Sequence, residues 1–252
     1  MLIQPFRVGE HNSHYQGAYN EREMQWRRTC AIEKVNNIER LLGNRTVENV
    51  LEVGCGTGAV LAEVARRSIG SSHTGIDVAS SDGHADPGIE ACKLLTYDGD
   101  RLPFADASFD FVYASHVVEH VPNPRGFLRE MKRVARGAVY IEVPCELHAR
   151  TSWAKLQSTL DIGHINSYTP ETFLMLLQSC GLNIVDLDIF DHTLEVHKFN
   201  SSPLKGWAKM AIRRTMLRLN RAMAPKIFTF HCGALALVTS ALDARQAAPV
   251  RS

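Results

Sequence analysis

The sequence predicts an α/β fold, in which a mostly parallel sheet is covered by helices on both faces. The first observation is the apolar run at residues 49–53, whose aliphatic side chains are typical of a strand buried on both sides. The second is the turn that follows, with Gly54, Gly56 and Gly58 at alternate positions. The third is the helical spacing of apolar residues over residues 59–69. Together they predict a strand, a glycine loop and a helix whose N-terminus favours polar or anionic ligand atoms.

Two acidic residues near this loop favour a nucleotide ligand. Glu52 lies inside the apolar strand, where an unpaired carboxylate is costly to bury, so it must find donors such as the loop amides. Asp77 ends the next apolar run, about 20 residues beyond the loop, which is the spacing of a ribose-binding carboxylate. The glycine pattern alone would also fit a nicotinamide-dependent oxidoreductase, which stays open at this point.

The other elements follow from periodicity and from helix-ending residues. Apolar residues at helical spacing predict an amphipathic helix over residues 21–42, ended by Gly43. Later helices are predicted at residues 125–135 and from Thr169 to Cys180, where Pro170 stands in the first turn. Apolar or alternating runs predict further strands at residues 73–78, 92–97, 109–114, 137–144 and 182–190, and a last one within residues 226–239.

Four ordered segments carry a family resemblance. They are residues 50–58, the acid at Asp77, residues 97–110 with their Leu-Pro-Phe-x-Asp-x-Ser-Phe-Asp pattern, and residues 116–121. Together they resemble the class I S-adenosylmethionine-dependent methyltransferases, particularly the small-molecule branch. The resemblance implies a Rossmann-like, seven-stranded, mostly parallel sheet with an antiparallel last strand. Residues 79–88 depart from it, because two glycines and a proline replace a helix that is common in the family.

The resemblance also implies the cofactor, S-adenosylmethionine, and the residues that bind it. The strand end, the glycine loop and the acid after the second strand would hold it, and Asp98 with Gly99 stands where the family reads adenine. An acid can accept a hydrogen bond from the exocyclic amine of adenine. The expected cofactor-binding residues are Glu52, Gly54, Gly56, Gly58, Asp77, Asp98, Gly99 and Ser115.

Two histidines are the candidate catalytic residues. His116, Glu119 and His120 fall at helical i, i+3 and i+4 positions after the fourth strand, so one helical turn would bring them toward a common side. His120 matches a histidine that the family uses as a base or substrate contact, and a neutral imidazole can take a hydroxyl proton. His164, in the loop at residues 145–168, is the second candidate base. Capping or packing roles stay open, and a metal ion at this turn ranks below both alternatives, so no metal is expected.

A basic segment at residues 191–226 is the part that the shared fold explains least. Its helix, at residues 203–226, carries seven Lys and Arg residues, with no acidic residue among them. An apolar stripe runs along it, formed by Leu204, Trp207, Ala208, Ala211, Thr215, Leu219 and Ala222. Three roles stay open: contact with an anionic membrane surface, reception of an anionic or lipid-linked substrate, and docking on the domain with a solvated basic face.

Composition and chain layout set the remaining expectations. The formal net charge of +1 gives no nucleic-acid signature, and six scattered cysteines without a Cys-x-x-Cys pair fit a reducing cytoplasm. No signal-peptide core or membrane-spanning run is present. We expect a cap segment at residues 1–43, where Tyr15, Tyr19 and Trp26 either contact substrate or anchor the helix. A methyltransferase domain at residues 44–240 and a flexible tail at residues 241–252 would follow.

The expected reaction is methyl transfer to a small-molecule or glycan acceptor. No Asn-Pro-Pro-Tyr motif follows the fourth strand, where Ala114-Ser-His-Val stands instead, so a hydroxyl acceptor is favoured over a base or amide nitrogen. The unusual loop and basic segment suggest a sugar hydroxyl on an oligosaccharide or glycolipid, such as fucose in a surface glycan or nodulation signal. Quinone or other secondary-metabolite methylation and a non-catalytic cofactor-binding subunit are the alternatives. The oligomeric state is left undetermined.

Overall fold

A single seven-stranded sheet forms the centre of the molecule. The computed structural model describes residues 20–80, 85–199 and 201–238. The strands are β1 (Asn49–Val53), β2 (Ser72–Asp77), β3 (Lys93–Thr96), β4 (Phe109–Ser115), β5 (Ala135–Cys145), β6 (Asn183–Phe190) and β7 (Phe230–Leu237). They lie in the order β3-β2-β1-β4-β5-β7-β6. Strand β7 is antiparallel to both neighbours and the other pairs are parallel, as the sequence predicted.

Helices cover both faces of this sheet. They are α1 (Glu21–Leu42), α2 (Ala59–Arg66), α3 (Pro124–Val134), α4 (Trp153–Leu160), α5 (Pro170–Ser179), α6 (Leu194–Phe199) and α7 (Pro203–Leu219), with 3-10 turns at Val118–His120 and Ala224–Lys226. One apolar core packs α3 and α5 against the sheet, and the second packs α1 and α2 against the opposite face. None of the helices in the described residues is long and apolar enough to cross a membrane.

The strand order reverses direction between β1 and β4, and this point locates the site. In open α/β sheets, ligands bind outside the carboxyl ends of the strands where the order reverses. The glycine loop follows β1 and His116 follows β4, so both lie at this edge. The carboxyl end of β5, at Cys145, and the amino end of β7, at Phe230, meet beside them because these strands are antiparallel.

Helix α1 has the limits that its sequence predicted. Asn20 caps its start by accepting a hydrogen bond from the Glu23 amide, while the Glu23 carboxylate accepts one from the Asn20 amide. Gly43 ends it with a φ of 60°. Trp26 packs against Phe199 with 4.9 Å between ring centroids, which supports an anchoring role. The other two residues of the expected cap, Tyr15 and Tyr19, and the expected tail at residues 241–252 lie outside the described residues.

One expectation about the C-terminal part was wrong, since the helix of the basic segment ends at Leu219 rather than at residue 226. A 3-10 turn at Ala224–Lys226 follows, and the last strand begins at Phe230, within the predicted range. Strand β6 does not alternate regularly, since its pairing with β7 shifts between Ile184 and Asp186 and leaves Val185 exposed.

The apolar stripe of α7 faces outward, which corrects the expectation of docking through that stripe. Leu204, Trp207 and Leu219 are 76%, 56% and 81% exposed, whereas Arg213 is buried. Arg213 Nε donates to Asp191 Oδ1 at 2.6 Å, and the guanidinium lies over the Phe230 ring at 4.4 Å. The basic segment is therefore attached to the rest of the domain partly through a buried ion pair.

Candidate active site

The glycine loop has the backbone geometry that a closely approaching ligand requires. Gly54, Gly56 and Gly58 all have positive φ angles, of 80°, 52° and 77°. A Cβ atom on Gly54 would lie 2.4 Å from Val117, so this glycine is needed for packing. A Cβ atom on Gly56 would meet its nearest neighbour, Arg27 Nη1, at 3.8 Å. The space beside Gly56 is therefore open to a ligand that follows the backbone.

Asp77 holds the loop from the end of β2. Its Oδ2 atom accepts a hydrogen bond from the Gly56 amide at 2.7 Å, and its Oδ1 atom accepts one from the Ala79 amide at 3.1 Å. The amides of Gly54 and Cys55 both donate to the Ile76 carbonyl. Asp77 thus lies beside the loop, as predicted, and in this structure its carboxylate orders the loop amides.

Glu52 is buried beneath the loop, and it does not bond the loop amides as the sequence suggested. Its Oε2 atom makes no hydrogen bond to any residue that the structure describes. Burial raises the pKa of Glu52 to about 8. Ser115, at the end of β4, is also buried, and its Oγ atom has no partner within the described ranges, while its carbonyl oxygen accepts from Lys34 Nζ at 3.4 Å. Two polar groups are thus left for a ligand at the β1 and β4 ends.

The adenine-binding residues that the resemblance implies lie on the exposed side of β3. Asp98 Oδ1 accepts hydrogen bonds from the amides of Asp100 and Arg101 at 3.0 and 3.4 Å, so it orders its own turn. Gly99 has a φ of 90°, and a Cβ atom there would lie 3.2 Å from Val78. Val78 is 47% exposed, so an apolar surface stands beside these two residues.

His120 is oriented by the segment at residues 145–168, which the sequence predicted as a loop and which contains helix α4. Its Nδ1 atom lies 2.9 Å from the Gly163 carbonyl oxygen, which can only accept, so Nδ1 carries the proton. In the neutral imidazole the Nε2 atom is then the proton acceptor. Asn166 fixes this arrangement, since its amide donates to the Glu119 carbonyl and its side chain donates to the Val121 carbonyl. This segment is therefore joined to the turn after β4.

His164 lies beside His120, so the structure brings the two candidate bases together. The ring centroids are 4.8 Å apart and the planes are nearly perpendicular. His164 Nδ1 donates to Glu146 Oε2 at 2.7 Å. Burial alone would lower the pKa of His164, but the hydrogen bond and charge of Glu146 and the charge of Glu119 outweigh it and raise this pKa.

Glu119 is fully buried next to these histidines. Neither of its carboxylate oxygens has a hydrogen-bond partner among the described residues, and burial raises its pKa to about 7. One ligand atom each of Glu119, His120 and His164 lies within 4.8 Å of the others. The expected third member, His116, precedes the 3-10 turn. Its Nδ1 atom lies 3.5 Å from Glu119 Oε1, and its Nε2 atom lies 3.3 Å from Glu142 Oε1.

A basic cavity of about 370 Å³ is lined mainly by the segment at residues 145–168 and by helix α7. Lys and Arg side chains contribute four of its lining residues, and no acidic side chain lines it. The lining residues are His148, Arg150, Lys155, His192, Lys209, Arg213, Phe228 and Thr229. His192 links this cavity to the histidines at the carboxyl end of β4, because its Nε2 atom lies 3.0 Å from His231 Nε2. The charge of the cavity favours an anionic group.

Sequence reasoning missed five residues at this edge of the sheet, namely Lys34, Glu142, Glu146, His192 and His231. One of these residues, Glu142, could have been recognised from the sequence pattern. Glu142 is an acid inside an otherwise apolar strand, which is the pattern that drew attention to Glu52. The histidines lie at the ends of β6 and β7, and their proximity to His116 depends on the strand order.

Comparison with known proteins identifies the family. The model of a methyltransferase domain family matches residues 21–187. The chain belongs to this family. The resemblance to class I S-adenosylmethionine-dependent methyltransferases is thereby confirmed, and S-adenosylmethionine is the cofactor of the family. The open space beside Gly56 and the unpartnered Glu52 and Ser115 atoms fit such a cofactor.

Individual relatives are similar over part of the chain. An uncharacterized methyltransferase of Mycobacterium sp. (strain JLS) is 41% identical over 95 residues, which cover 37% of this chain and 36% of the relative. The chain spans about a third of the length of the curated relatives that it matches.

Two solved structures share the fold. The geranyl diphosphate C-methyltransferase of Streptomyces coelicolor A3(2) has a TM-score of 0.61 at 13% identity, with 82% of this chain and 79% of that chain covered. The phosphoethanolamine N-methyltransferase 2 of Haemonchus contortus has a TM-score of 0.59 at 15% identity, with 83% and 53% covered. Both were solved with S-adenosylhomocysteine.

Proposed function

We propose that this protein methylates a hydroxyl oxygen of a small polar acceptor and that His120 is the base. The observation that carries the proposal is the hydrogen bond of His120 Nδ1 to the Gly163 carbonyl, which leaves Nε2 as the proton acceptor. S-adenosylmethionine supplies an already activated methyl group when bound. The protein's own work is to position the acceptor oxygen and remove its proton.

His164 and Glu146 support this arrangement. The carboxylate of Glu146 accepts from His164 Nδ1 at 2.7 Å, and the His164 ring packs edge-on against His120. His164 is the alternative base if the acceptor enters from the other side of the pair. Its raised pKa favours the protonated form, which makes it the poorer acceptor of a proton near neutral pH.

The basic cavity supports an acceptor that carries an anionic group. Three cationic side chains of the cavity, Arg150, Lys155 and Lys209, would bind a phosphate, sulfate or carboxylate through charge-assisted hydrogen bonds. The fourth, Arg213, is already paired with Asp191. A sugar hydroxyl on an anionic oligosaccharide or glycolipid, including fucose in a surface glycan or nodulation signal, combines both features. A quinone or another secondary metabolite is the second candidate, since the family includes methyltransferases of apolar small molecules such as a sterol.

Labelled methyl transfer with single variants tests the assignment. Labelled S-adenosylmethionine is supplied with acceptor fractions separated by charge, and the methylated product is identified. We expect incorporation into an anionic fraction and a loss of turnover of about 100- to 10,000-fold in His120→Ala, with cofactor binding retained. His73→Ala, on the distant strand β2, is the control. Tight cofactor binding without a methylated product in any fraction would support a non-catalytic cofactor-binding subunit instead.

We further propose that the outward face of α7 contacts an anionic membrane surface. By helical spacing the exposed Leu204 and Trp207 share one face of α7 with the exposed Arg214 and Arg218, and no acidic residue occurs between Pro203 and Leu219. Apolar side chains flanked by basic ones are typical of helices that lie in the membrane interface.

Flotation with lipid vesicles checks this contact. The protein should float with phosphatidylcholine vesicles that contain phosphatidylglycerol, more weakly with phosphatidylcholine alone, and Trp207→Ser should weaken both. Met175→Ser removes an equally exposed apolar side chain, 60% accessible, from α5 and should have no effect. Equal flotation of the two variants would contradict the role of α7.

A further inference from the structure

Three side chains from three neighbouring strands converge on one point at the carboxyl end of β4. His116 follows β4, Glu142 lies on β5 and His231 is the second residue of β7. His116 Nε2 lies 2.7 Å from His231 Nδ1 and 3.3 Å from Glu142 Oε1, and His231 Nδ1 lies 3.7 Å from the same oxygen. Glu142 and His231 are buried, at 1% and 6% exposure.

Two side chains orient the carboxylate of Glu142 through hydrogen bonds to its Oε2 atom. Its Oε2 atom accepts hydrogen bonds from the Tyr140 hydroxyl and, at 3.1 Å, from Asn37 Nδ2. Its Oε1 atom is therefore the one that faces the two histidines. A carboxylate oriented in this way by outer partners is a regular feature of metal sites in proteins.

A second chain of contacts fixes the tautomer of His231. The carboxylate of Glu33 accepts from His192 Nδ1 at 2.7 Å and from the Thr193 amide at 2.6 Å. In neutral His192 the Nε2 atom is then an acceptor, and it lies 3.0 Å from His231 Nε2, which must donate. His231 Nδ1 consequently presents a lone pair to Glu142 and His116.

His116 is held in an uncommon backbone conformation that aims its ring at this point. Its φ is 60°, which few residues other than glycine adopt, and its amide donates to the Glu142 carbonyl at 2.9 Å. The ring's other nitrogen, Nδ1, lies 3.5 Å from Glu119 Oε1. If Nε2 donated to His231, the lone pair of Nδ1 would face this buried carboxylate. If Nε2 instead bound a cation, Nδ1 would carry a proton toward it.

We propose that His116 Nε2, His231 Nδ1 and Glu142 Oε1 bind a divalent transition-metal ion, for which Zn²⁺ is the best fit. Two histidines and one glutamate form a donor set that zinc sites with an open fourth position use. Around a tetrahedral zinc ion with bonds of about 2.1 Å, ligand atoms stand about 3.4 Å apart. The separations of 3.3 and 3.7 Å match this value, and the 2.7 Å separation must widen.

The rival explanation is a hydrogen-bonded histidine pair without any metal. It predicts a different outcome in each of the following measurements.

Titration with Zn²⁺ alone tests the site. Untagged protein is stripped with a chelator, and Zn²⁺ binding is followed by calorimetry together with the zinc content of protein purified without chelator. We expect one equivalent of zinc, and a loss of affinity beyond about 100-fold in Glu142→Gln and in His231→Gln. Glu33→Gln, which removes an outer partner, should cost about 10- to 100-fold.

Two controls locate the ion. His73→Gln alters a histidine near the start of β2 whose Nε2 atom lies 3.0 Å from the Ile69 carbonyl oxygen, and this variant should bind zinc as the parent protein does. His164→Gln should also keep its affinity, because His164 belongs to the separate group with Glu119 and His120. Loss of zinc in His164→Gln but not in His231→Gln would move the ion to that group and overturn the proposal.

Cobalt substitution keeps the proposal testable if a variant fails to fold. The unaltered protein with Co²⁺ should show the visible absorption of a four- or five-coordinate ion, and Zn²⁺ should displace it. An unaltered protein that binds neither ion, or that shows only the pale spectrum of hydrated cobalt, would establish the hydrogen-bonded pair instead.

Discussion

At the scale of single residues, we propose that Asp77 binds the cofactor ribose besides ordering the loop. Its carboxylate orders the Gly56 and Ala79 amides in this structure, and its place about 20 residues beyond the glycine loop is that of a ribose-binding acid in such folds. We expect Asp77→Ala to weaken S-adenosylmethionine binding by about 10- to 100-fold, because a charge-assisted hydrogen bond contributes about 1.5 to 3 kcal/mol. Calorimetry measures the change.

The matched control for this variant is Asp100→Ala. Asp100 is an exposed acid in the turn after β3, and it should leave the affinity unchanged. Unchanged affinity in folded Asp77→Ala would remove the assigned ribose contact.

His164 and Glu146 should make stability depend on pH in a defined direction. The folded state raises the pKa of His164 above 6.5, so it binds a proton more tightly than the unfolded chain does. The stabilisation is fully present below about pH 6.5 and is lost as the pH rises through the folded pKa. Urea unfolding from pH 5.5 to 8.5 should show this loss in the parent protein. The same titration of Glu146→Gln, which lacks the charged partner of His164, should show a smaller loss of stability.

The difference between the parent protein and Glu146→Gln reports on the His164–Glu146 pair, because the other buried histidines are present in both proteins. The charges that face His164 come from Glu146, Glu119 and Lys155. A stability difference that grows with rising pH would have the wrong sign and would contradict the ion pair.

At the scale of secondary-structure elements, the attachment of α7 depends on Arg213. Its guanidinium is buried, bonds Asp191 and the Thr229 carbonyl, and lies over Phe230. Replacement by leucine leaves the buried Asp191 carboxylate without its main cationic partner. Such a loss costs about 3 to 5 kcal/mol. We expect Arg213→Leu to lower the free energy of unfolding by that amount in urea titrations.

Arg214→Leu serves as the comparison for this helix. The neighbouring side chain is exposed, and surface substitutions usually change stability by within about 0.5 kcal/mol. If both variants lost similar stability, the general helix propensity or charge of α7 would be responsible and the Arg213–Asp191 pair would not.

At the scale of the whole molecule, cofactor binding should stabilise the fold. The loop that we propose as its binding site connects β1 and α2 at the centre of the sheet, so the unfolded chain has no equivalent site. At about 100 times the dissociation constant, a ligand adds about 2.7 kcal/mol. For a protein of this size that raises the melting temperature by about 5 to 10 °C. Differential scanning fluorimetry with S-adenosylmethionine should show this shift.

Gly56→Val should abolish the shift, because its side chain fills the space that the ligand follows. The variant also strains a positive φ, so it needs a matched comparison. Gly181→Val strains a φ of 69° at the end of α5, away from the loop, and should keep the ligand-induced shift. If Gly56→Val kept the ligand-induced shift in melting temperature, the cofactor would bind elsewhere than at this loop.

The sequence by itself determined the elements that obey local rules. The glycine loop, the capped ends of α1 and α5, and the strands with buried apolar runs depend on neighbouring residues, and each was found close to its observed limits. The site residues at the ends of β1, β2 and β4 followed from the same elements. Their patterns are short-range, so no knowledge of packing was needed.

The tertiary structure alone decided which distant groups meet. His231 lies 115 residues from His116, and they touch because β7 inserts between β5 and β6 and runs antiparallel. The sequence likewise did not determine which face of α7 is buried. Periodicity identifies an apolar stripe on the helix, but it does not show which side packs against the rest of the domain. The Arg213 side of α7 is buried because the Asp191 carboxylate and the Phe230 ring replace the water that the guanidinium loses on burial.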